Sequence, residues 1–549
     1  MKMLRRSVCL LLCAALFLTL LAGCGKQEEP AEDFVVSAAV CGPLETLDPT
    51  MNTDVGAESL LSTLFEGLMR MRDDGAGKAV AVAGIAKEYI EEKNYDDTVT
   101  YTFTLRSAAR WSDGERVTAE DFVYAWQRLV DPATASPNAS LLSMVAGYDE
   151  VRESGDVSLL GVKAKGESTF LVTLSRPCAY FITSVCTSPA TAPLRRDLVE
   201  GNASWAATAD IVTNGPYTVG TWVKAAQLQT KRNGEYYESK LVVPDSICFR
   251  FETDAQTNYD QLLAGELDYT AKLPYAAIEQ LAEDETWQPA PLAETVCVLY
   301  NHLTDTFSDV QLRRAFDLAI DRAAATAAGG AENSPATGLV PYGIPDSGET
   351  EDDFRTTGGE LCAIDEEGMS ARATQAQEEL TYAGYYSTSM FPPVELLYVT
   401  GTENDAVASA LQSMWSTTLG VNVMLRGVTQ AEYNTRMEAG NYELALQKVT
   451  ALYDDAMGFL DRWCSEDEQN LISYENGTYD VLMGVARASE NPVARTAFLH
   501  DAETMLLGET ALSPVYFDGT AHMLRDTLRG VYTDGFGNSY FAGVRANTD

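Results

Sequence analysis

Hydrophobic and polar positions alternate with two different periods along this chain, and the period in force at each point predicts the local element. The run 34–40 is β-rich and breaks at Cys41-Gly42-Pro43. Over 59–71, apolar residues recur at 60, 61, 64, 65, 68 and 69, a helical spacing. Over 98–105, threonine alternates with larger residues, which predicts a strand. A helix is predicted over 118–130, capped by Thr118 with Asp121 at the capping-box position and ended by Asp131-Pro132.

Strand and helix patterns then alternate. Strands are predicted over 170–174, 217–222, 296–301, 394–399, 421–425 and 442–446. Helices are predicted over 255–263, 275–281, 308–327, 371–383, 405–418 and 431–439. The last two strands, with the helix between them, predict a β-α-β unit with parallel pairing. The stretch 334–362 is rich in Gly, Pro and acid and is expected to be an exposed loop. The pattern is that of an α/β protein. At about 150 residues per domain, a chain of 549 residues is expected to hold two to four.

The N-terminus changes the picture. Lys2, Arg5 and Arg6 precede an almost wholly apolar run over 7–21, and Leu21-Ala22-Gly23-Cys24 follows. Such a run is short for a membrane span and has the layout of a secretory signal, 1–23. Small residues before a cysteine resemble a bacterial lipobox, which implies lipidation of Cys24; an ordinary signal peptide that happens to end in cysteine is the alternative. The polar stretch 24–33 then serves as a flexible tether. No later stretch is apolar enough to span a membrane.

Charge and composition exclude several classes. With 39 Lys+Arg against 80 Asp+Glu, the net charge is −41. That is unsuited to nucleic acid or to anionic lipid bound through a basic patch. Only His302, His500 and His522 are available for imidazole chemistry. There is no H-E-x-x-H, G-x-S-x-G or P-loop, so neither an enzyme nor a cofactor or metal site is expected. Beyond Cys24, seven cysteines remain and none forms C-x-x-C. Cys178 and Cys186 are left as either a disulfide or buried thiols.

Several blocks carry a family resemblance. They are 98–106 (TVTYTFTLR), Trp111-Ser112-Asp113-Gly114 and 118–126 (TAEDFVYAW), with Leu47-Asp48-Pro49, Phe65-Glu66-Gly67-Leu68, Asp131-Pro132 and Ala135-Ser136-Pro137. They continue through Ile211-Val212-Thr213-Asn214-Gly215, Phe307-Ser308-Asp309-Val310, Gly420-Val421-Asn422-Val423 and Ser513-Pro514-Val515-Tyr516. In this order they resemble the family 5 bacterial extracellular solute-binding proteins, most of all the oligopeptide-binding components of ABC importers. Trp111, Phe122 and Trp126 are expected to be core aromatics. The resemblance implies a two-lobed, periplasmic-binding-protein-like clamshell (class II, cluster C) with mixed sheets and three domains. Domain I would comprise 34–54, 206–294 and 517–549, domain II 55–205, and domain III 295–516.

The resemblance also implies a ligand site. In such proteins an extended peptide pairs with strands by β-augmentation; the matching segments here are 41–45, with Leu44 and Glu45, and 446–452, with Gln447, Lys448, Val449 and Thr450. Leu452 occupies the position where a carboxylate normally fixes the peptide amine. Asp454 and Asp455, beside Tyr453, either take over that role or are solvated loop acids. Gln430 and Val449 stand where relatives carry tryptophans. Lys448, where glycine is usual, either meets a ligand carboxylate or points to solvent. Tyr300, Asn301 and Tyr516 either face the cleft or pack the hinge. The implied partners are an oligopeptide or related small solute, ABC permease subunits, and the membrane through the lipid anchor, with the receptor itself a monomer outside the cytoplasmic membrane. The departures at 447–455 motivate a second reading, the same fold serving a signalling peptide, oligosaccharide, haem or metal chelate.

Overall fold

The structure, a computed structural model, describes residues 33–547 except 53–55, 76–78, 97, 283–288, 347–352, 366, 388–390, 452, 468 and 490. The signal sequence, Cys24 and most of the tether therefore lie outside the described residues, as does Leu452. No helix among the described residues is long and apolar enough to cross a membrane.

Three larger sheets organise the chain. The first is six-stranded, with Val35–Ala39 paired in parallel to Ser246–Arg250 and Tyr269–Thr270. Gln227–Arg232, Tyr217–Val223 and Met523–Leu524 complete it. The second is a four-stranded antiparallel sheet of Ala86–Lys93, Val99–Leu105, Thr169–Leu174 and Val162–Ala164. The third, six-stranded and mixed, runs in the order Ser334–Pro335, Leu512–Thr520, Ala290–Tyr300, Leu444–Thr450, Val394–Val399 and Val423–Val428.

Local patterning explains the middle sheet. In Val99–Leu105 the larger residues are buried and the threonines are intermediate, as period-two alternation requires. Helix Ala119–Val130 starts at a capping box formed by Thr118 and Asp121 and packs Phe122 and Trp126 on Phe170, ring centroids 5.4 and 5.2 Å away. Trp111, Phe122 and Trp126 are all core residues, and the buried Trp126 Nε1 donates to the Thr191 carbonyl at 2.8 Å.

Four expectations need correction. The helix predicted over 59–71 stops at Leu64, and strand Met69–Asp73 follows. The distant Asn214 side chain accepts from Glu66 N and donates to Glu66 O, drawing this backbone out of the helix. Gly67 passes so close to the Cys186 carbonyl that an added Cβ would lie 2.7 Å from its oxygen. The helix predicted over 308–327 is two helices, Val310–Leu318 and Arg322–Gly329, the second N-capped by Asp321. In the predicted β-α-β unit, strands Val423–Val428 and Leu444–Thr450 are parallel but not adjacent, because Val394–Val399 lies between and pairs with both. The expected loop 334–362 is not simply exposed: Ala336, Leu339, Val340, Ile344, Phe354 and Arg355 are all buried. The carboxylate of Glu503 holds this segment, accepting from Leu339 N, Val340 N and Arg355 Nη1 at 2.7–2.9 Å.

Candidate functional site

A cleft of about 930 Å³ opens between these bodies. One part of its lining, Pro137 to Met144 and Arg176 to Ser188, packs on the four-stranded sheet. A second part, Ala290 to Ala293 and Ala451 to Arg462, leaves the third sheet. A third comes from Thr533 to Tyr540 near the C-terminus, joined by Glu58 from the first turn of helix Ala57–Leu64.

Two contacts tie the first part to the second. Tyr180 stacks on Tyr453 with ring centroids 3.3 Å apart and planes 10° from parallel. The Ser184 hydroxyl accepts from Asp454 N at 3.2 Å. Burial raises both phenols above their usual range, so the stacked rings are neutral. Cys178 and Cys186, below this segment, are buried free thiols instead of a disulfide. Burial pushes Cys178 up to about 12.

The cleft carries charge of both signs. Asp534 is saturated by donors: Phe536 N, Asn538 N, Asn538 Nδ2 and Tyr540 OH all lie within 3.1 Å. Partly buried Glu58 stands in its field, and burial, followed by the charge of Asp534, pushes its carboxyl up to about 8. The guanidinium groups present are Arg176, which is exposed, and Arg462. Arg462 Nη2 donates to the carbonyls of Thr450 at 2.6 Å and Gly458 at 3.2 Å. Among the described residues, no group of His, Cys, Asp and Glu is arranged to hold a metal ion.

The residues singled out by sequence distribute unevenly. Of them, Tyr453 and Asp454 line the cleft. Asp455 is instead clamped by Arg495, at 2.7 and 2.8 Å, which makes it a structural ion pair and not a solvated acid. Lys448 is exposed along its side chain, yet its ammonium is paired: it contacts Glu294, at 3.2 Å, and Asp518. Burial pulls Lys448 down, but the carboxylates of Asp518 and Glu294 outweigh it and hold the ammonium above its ordinary range. Val449 is core, Thr450 donates to Glu294 Oε1 at 3.0 Å, and the Gln447 amide oxygen accepts from Tyr433 OH. Tyr300 and Tyr516 lie in the core behind the third sheet, Tyr300 bonded to Ser513. Asn301 is spent on the carbonyls of Gly440 and Tyr442. Gln430 is exposed on a helix and bonds Asn434. The segment 41–45 forms no strand; Leu44 is core, and exposed Glu45 offers its carbonyl to Lys224. Segments 176–188, 290–293 and 533–540 were not anticipated. The one hint was Thr533-Asp534-Gly535-Phe536-Gly537, a turn-rich run interrupted by an aromatic.

The family described as "Bacterial extracellular solute-binding proteins, family 5 Middle" matches residues 81–470. The chain belongs to this family. Its members bind solutes for ABC importers and are not enzymes. Among family 5 relatives, the periplasmic oligopeptide-binding protein OppA of Escherichia coli is 30% identical over 509 residues, covering 90% of each chain. The probable deoxycholate-binding periplasmic protein YgiS of Escherichia coli is also 30% identical, over 88% of each chain. The unliganded open form of the periplasmic murein tripeptide-binding protein MppA superposes with a TM-score of 0.78 at 26% identity, covering 94% of this chain and 98% of its own. OppA of Haemophilus influenzae, complexed with RPPGFSPFR, gives 0.72 at 26% identity, covering 94% and 99%. The fold is therefore the family 5 clamshell.

Proposed function

We propose that this family 5 protein is a lipid-anchored receptor that captures extracellular oligopeptides between its lobes and delivers them to an ABC permease. The observation that carries the reading is the cleft itself: about 930 Å³ lined by carboxylates and guanidinium groups together. An extended zwitterionic peptide needs both signs, and charge-assisted bonds in an enclosed cleft are strong enough to set its register. Asp454, which lines the cleft just past strand Leu444–Thr450, is the proposed amine anchor. Relatives named for oligopeptide binding, and one solved with a nonapeptide, support the same ligand class. The anchor at Cys24 rests on the Leu21-Ala22-Gly23-Cys24 sequence, and the three-domain division with crossings near 294 and 516 belongs to the same proposal.

A second reading has one specific observation behind it. A relative of equal identity is named for deoxycholate, and the cleft also holds Leu141, Met144, Tyr180, Leu292, Ile344 and Phe536. An amphipathic carboxylate would use that apolar lining together with Arg176 or Arg462.

Thermal denaturation of the mature chain separates the two. It would be run with free and N-acetylated peptides of graded length, with deoxycholate, with an oligosaccharide and with haem. A ligand at one hundred times its Kd adds about 2.7 kcal/mol of stability. Stabilisation by free peptides, weakened by N-acetylation, is expected. No response to any free peptide together with a clear response to deoxycholate would replace the first reading with the second.

A further inference from the structure

The proposed lobe crossings near 294 and 516 fall on strands Ala290–Tyr300 and Leu512–Thr520, which pair antiparallel. They do not pair continuously. Ala290 faces Thr520 and Pro291 faces Gly519, the register breaks, and pairing resumes at Thr295 with Phe517. Residues 292–294 thus bulge opposite Asp518, and such a bulge is where a β-ribbon bends. The bulge is also part of the binding site, because Pro291, Leu292 and Ala293 line the cleft.

A single cation sits across this break. Lys448, on the neighbouring strand Leu444–Thr450, contacts Glu294 on one joining strand and Asp518 on the other. The Thr450 hydroxyl holds the second oxygen of Glu294, while the Thr450 carbonyl accepts from cleft-lining Arg462. Ala451 N donates to the Ala293 carbonyl at 3.0 Å, and Ala293 N donates to the carbonyl of Gly535, which also lines the cleft, at 2.6 Å. Main-chain bonds alone therefore fix Ala293. The carboxylates of Glu294 and Asp518 on either side of the break have no ladder bonds between them; their side chains approach within hydrogen-bond reach of each other, burial and that contact raise the Asp518 carboxyl, and Lys448 meets both. Glu332 adds negative charge nearby, and its Oε2 is buried with no partner among the described residues.

We propose that Lys448 is a positioning residue for solute capture. By neutralising Glu294 and Asp518 it keeps the lobe-joining strands together at their register break and sets the bend between the lobes, next to the cleft residues 291–293. Without its charge, two carboxylates face each other across a bulge in a partly desolvated setting, and like charges there separate. The inference rests on the family's capture of solute between lobes and is independent of whether the solute is a peptide.

The test uses the ligand-free mature chain, so a wrong ligand assignment leaves it intact. Spin labels at E153C and V481C, exposed sites on helices Tyr148–Ser154 and Gly477–Ala488, report the distance between lobes by pulsed dipolar spectroscopy. K448M is expected to lengthen or broaden that distance by roughly 2 Å or more, the scale of small rigid-body shifts. K448R is expected to restore it, and K448M/D518N to return it towards wild type, because removing one facing carboxylate relieves the repulsion. If K448M does not fold while K448M/D518N does, repulsion across the break is again the cause. A K448M distribution that superposes on wild type, a K448M/D518N distribution as wide as that of K448M, or failure of both to fold would overturn the inference.

Discussion

Segments 176–188 and 447–455 meet at the cleft, yet they use their polar and aromatic side chains differently. In 447–455 most of the polar groups are consumed internally: Lys448 by Glu294 and Asp518, Asp455 by Arg495, Thr450 by Glu294. Among its described residues, Ala451, Tyr453 and Asp454 reach the cleft. In 176–188 the buried side, Cys178, Phe181, Val185 and Cys186, is apolar, and Arg176, Tyr180, Thr183, Ser184, Thr187 and Ser188 line the cleft. The comparison teaches that a charged side chain beside a cleft is not thereby a ligand group. Polar groups inside a protein are drawn first to partners that satisfy them, wherever in the sequence those partners lie.

The largest expected effect tests the internal use of charge in 447–455. R495M should cost about 3 kcal/mol in urea unfolding, since it leaves Asp455 largely buried without its cation. A loss below about 1 kcal/mol, the range of surface pairs, would return Asp455 to the status of a surface acid. Next, D454N should weaken a free-amine peptide by about 2 kcal/mol in calorimetry, the penalty for removing a charged hydrogen-bond partner; unchanged affinity would remove Asp454 as the anchor. Smaller still is the Tyr180–Tyr453 stack. A double-mutant cycle with Y180A and Y453A should give a coupling of about 1 kcal/mol in stability, and a coupling near zero would mean that the rings do not hold the lobes together in solution.

A separate test, read in pH dependence, concerns Glu58, outside both segments. Its carboxyl is held at about 8 in the folded chain, against 4.5 as the ordinary value. The folded state therefore binds more protons than the unfolded one between these values, and stability is lost as pH rises through that window. Melting curves at pH 5 and pH 9 should show a smaller fall for E58Q than for wild type. An identical fall in both proteins would mean that Glu58 titrates normally.

Much of the fold was legible because it rests on local pattern. The alternation in Val99–Leu105, the capping box at Thr118 and Asp121, and strand Val394–Val399 each follow from residues within one element. The errors occurred where a distant residue overrode the local preference. Asn214 ends the helix before Glu66, and Glu503 draws 336–344 into the core despite its loop-like composition. The site was less legible still. Tyr300 and Tyr516 have the chemistry of ligand contacts, but both lie in the core behind the third sheet. Nothing local distinguishes them from Tyr180, which faces the cleft.

The sequence by itself determined the α/β class, the family, and the exclusion of catalysis and nucleic-acid binding. These depend on periodicity, ordered motifs and net charge, all of which are properties of neighbouring residues or of the whole sum. Only the tertiary structure decided where each carboxylate is used. Asp454 and Asp455 are adjacent in sequence and alike in chemistry, and Arg495, forty positions away, separates their roles by clamping one of them. Proximity of that kind comes from packing, and the cost of leaving a buried charge unpaired is what makes it decisive.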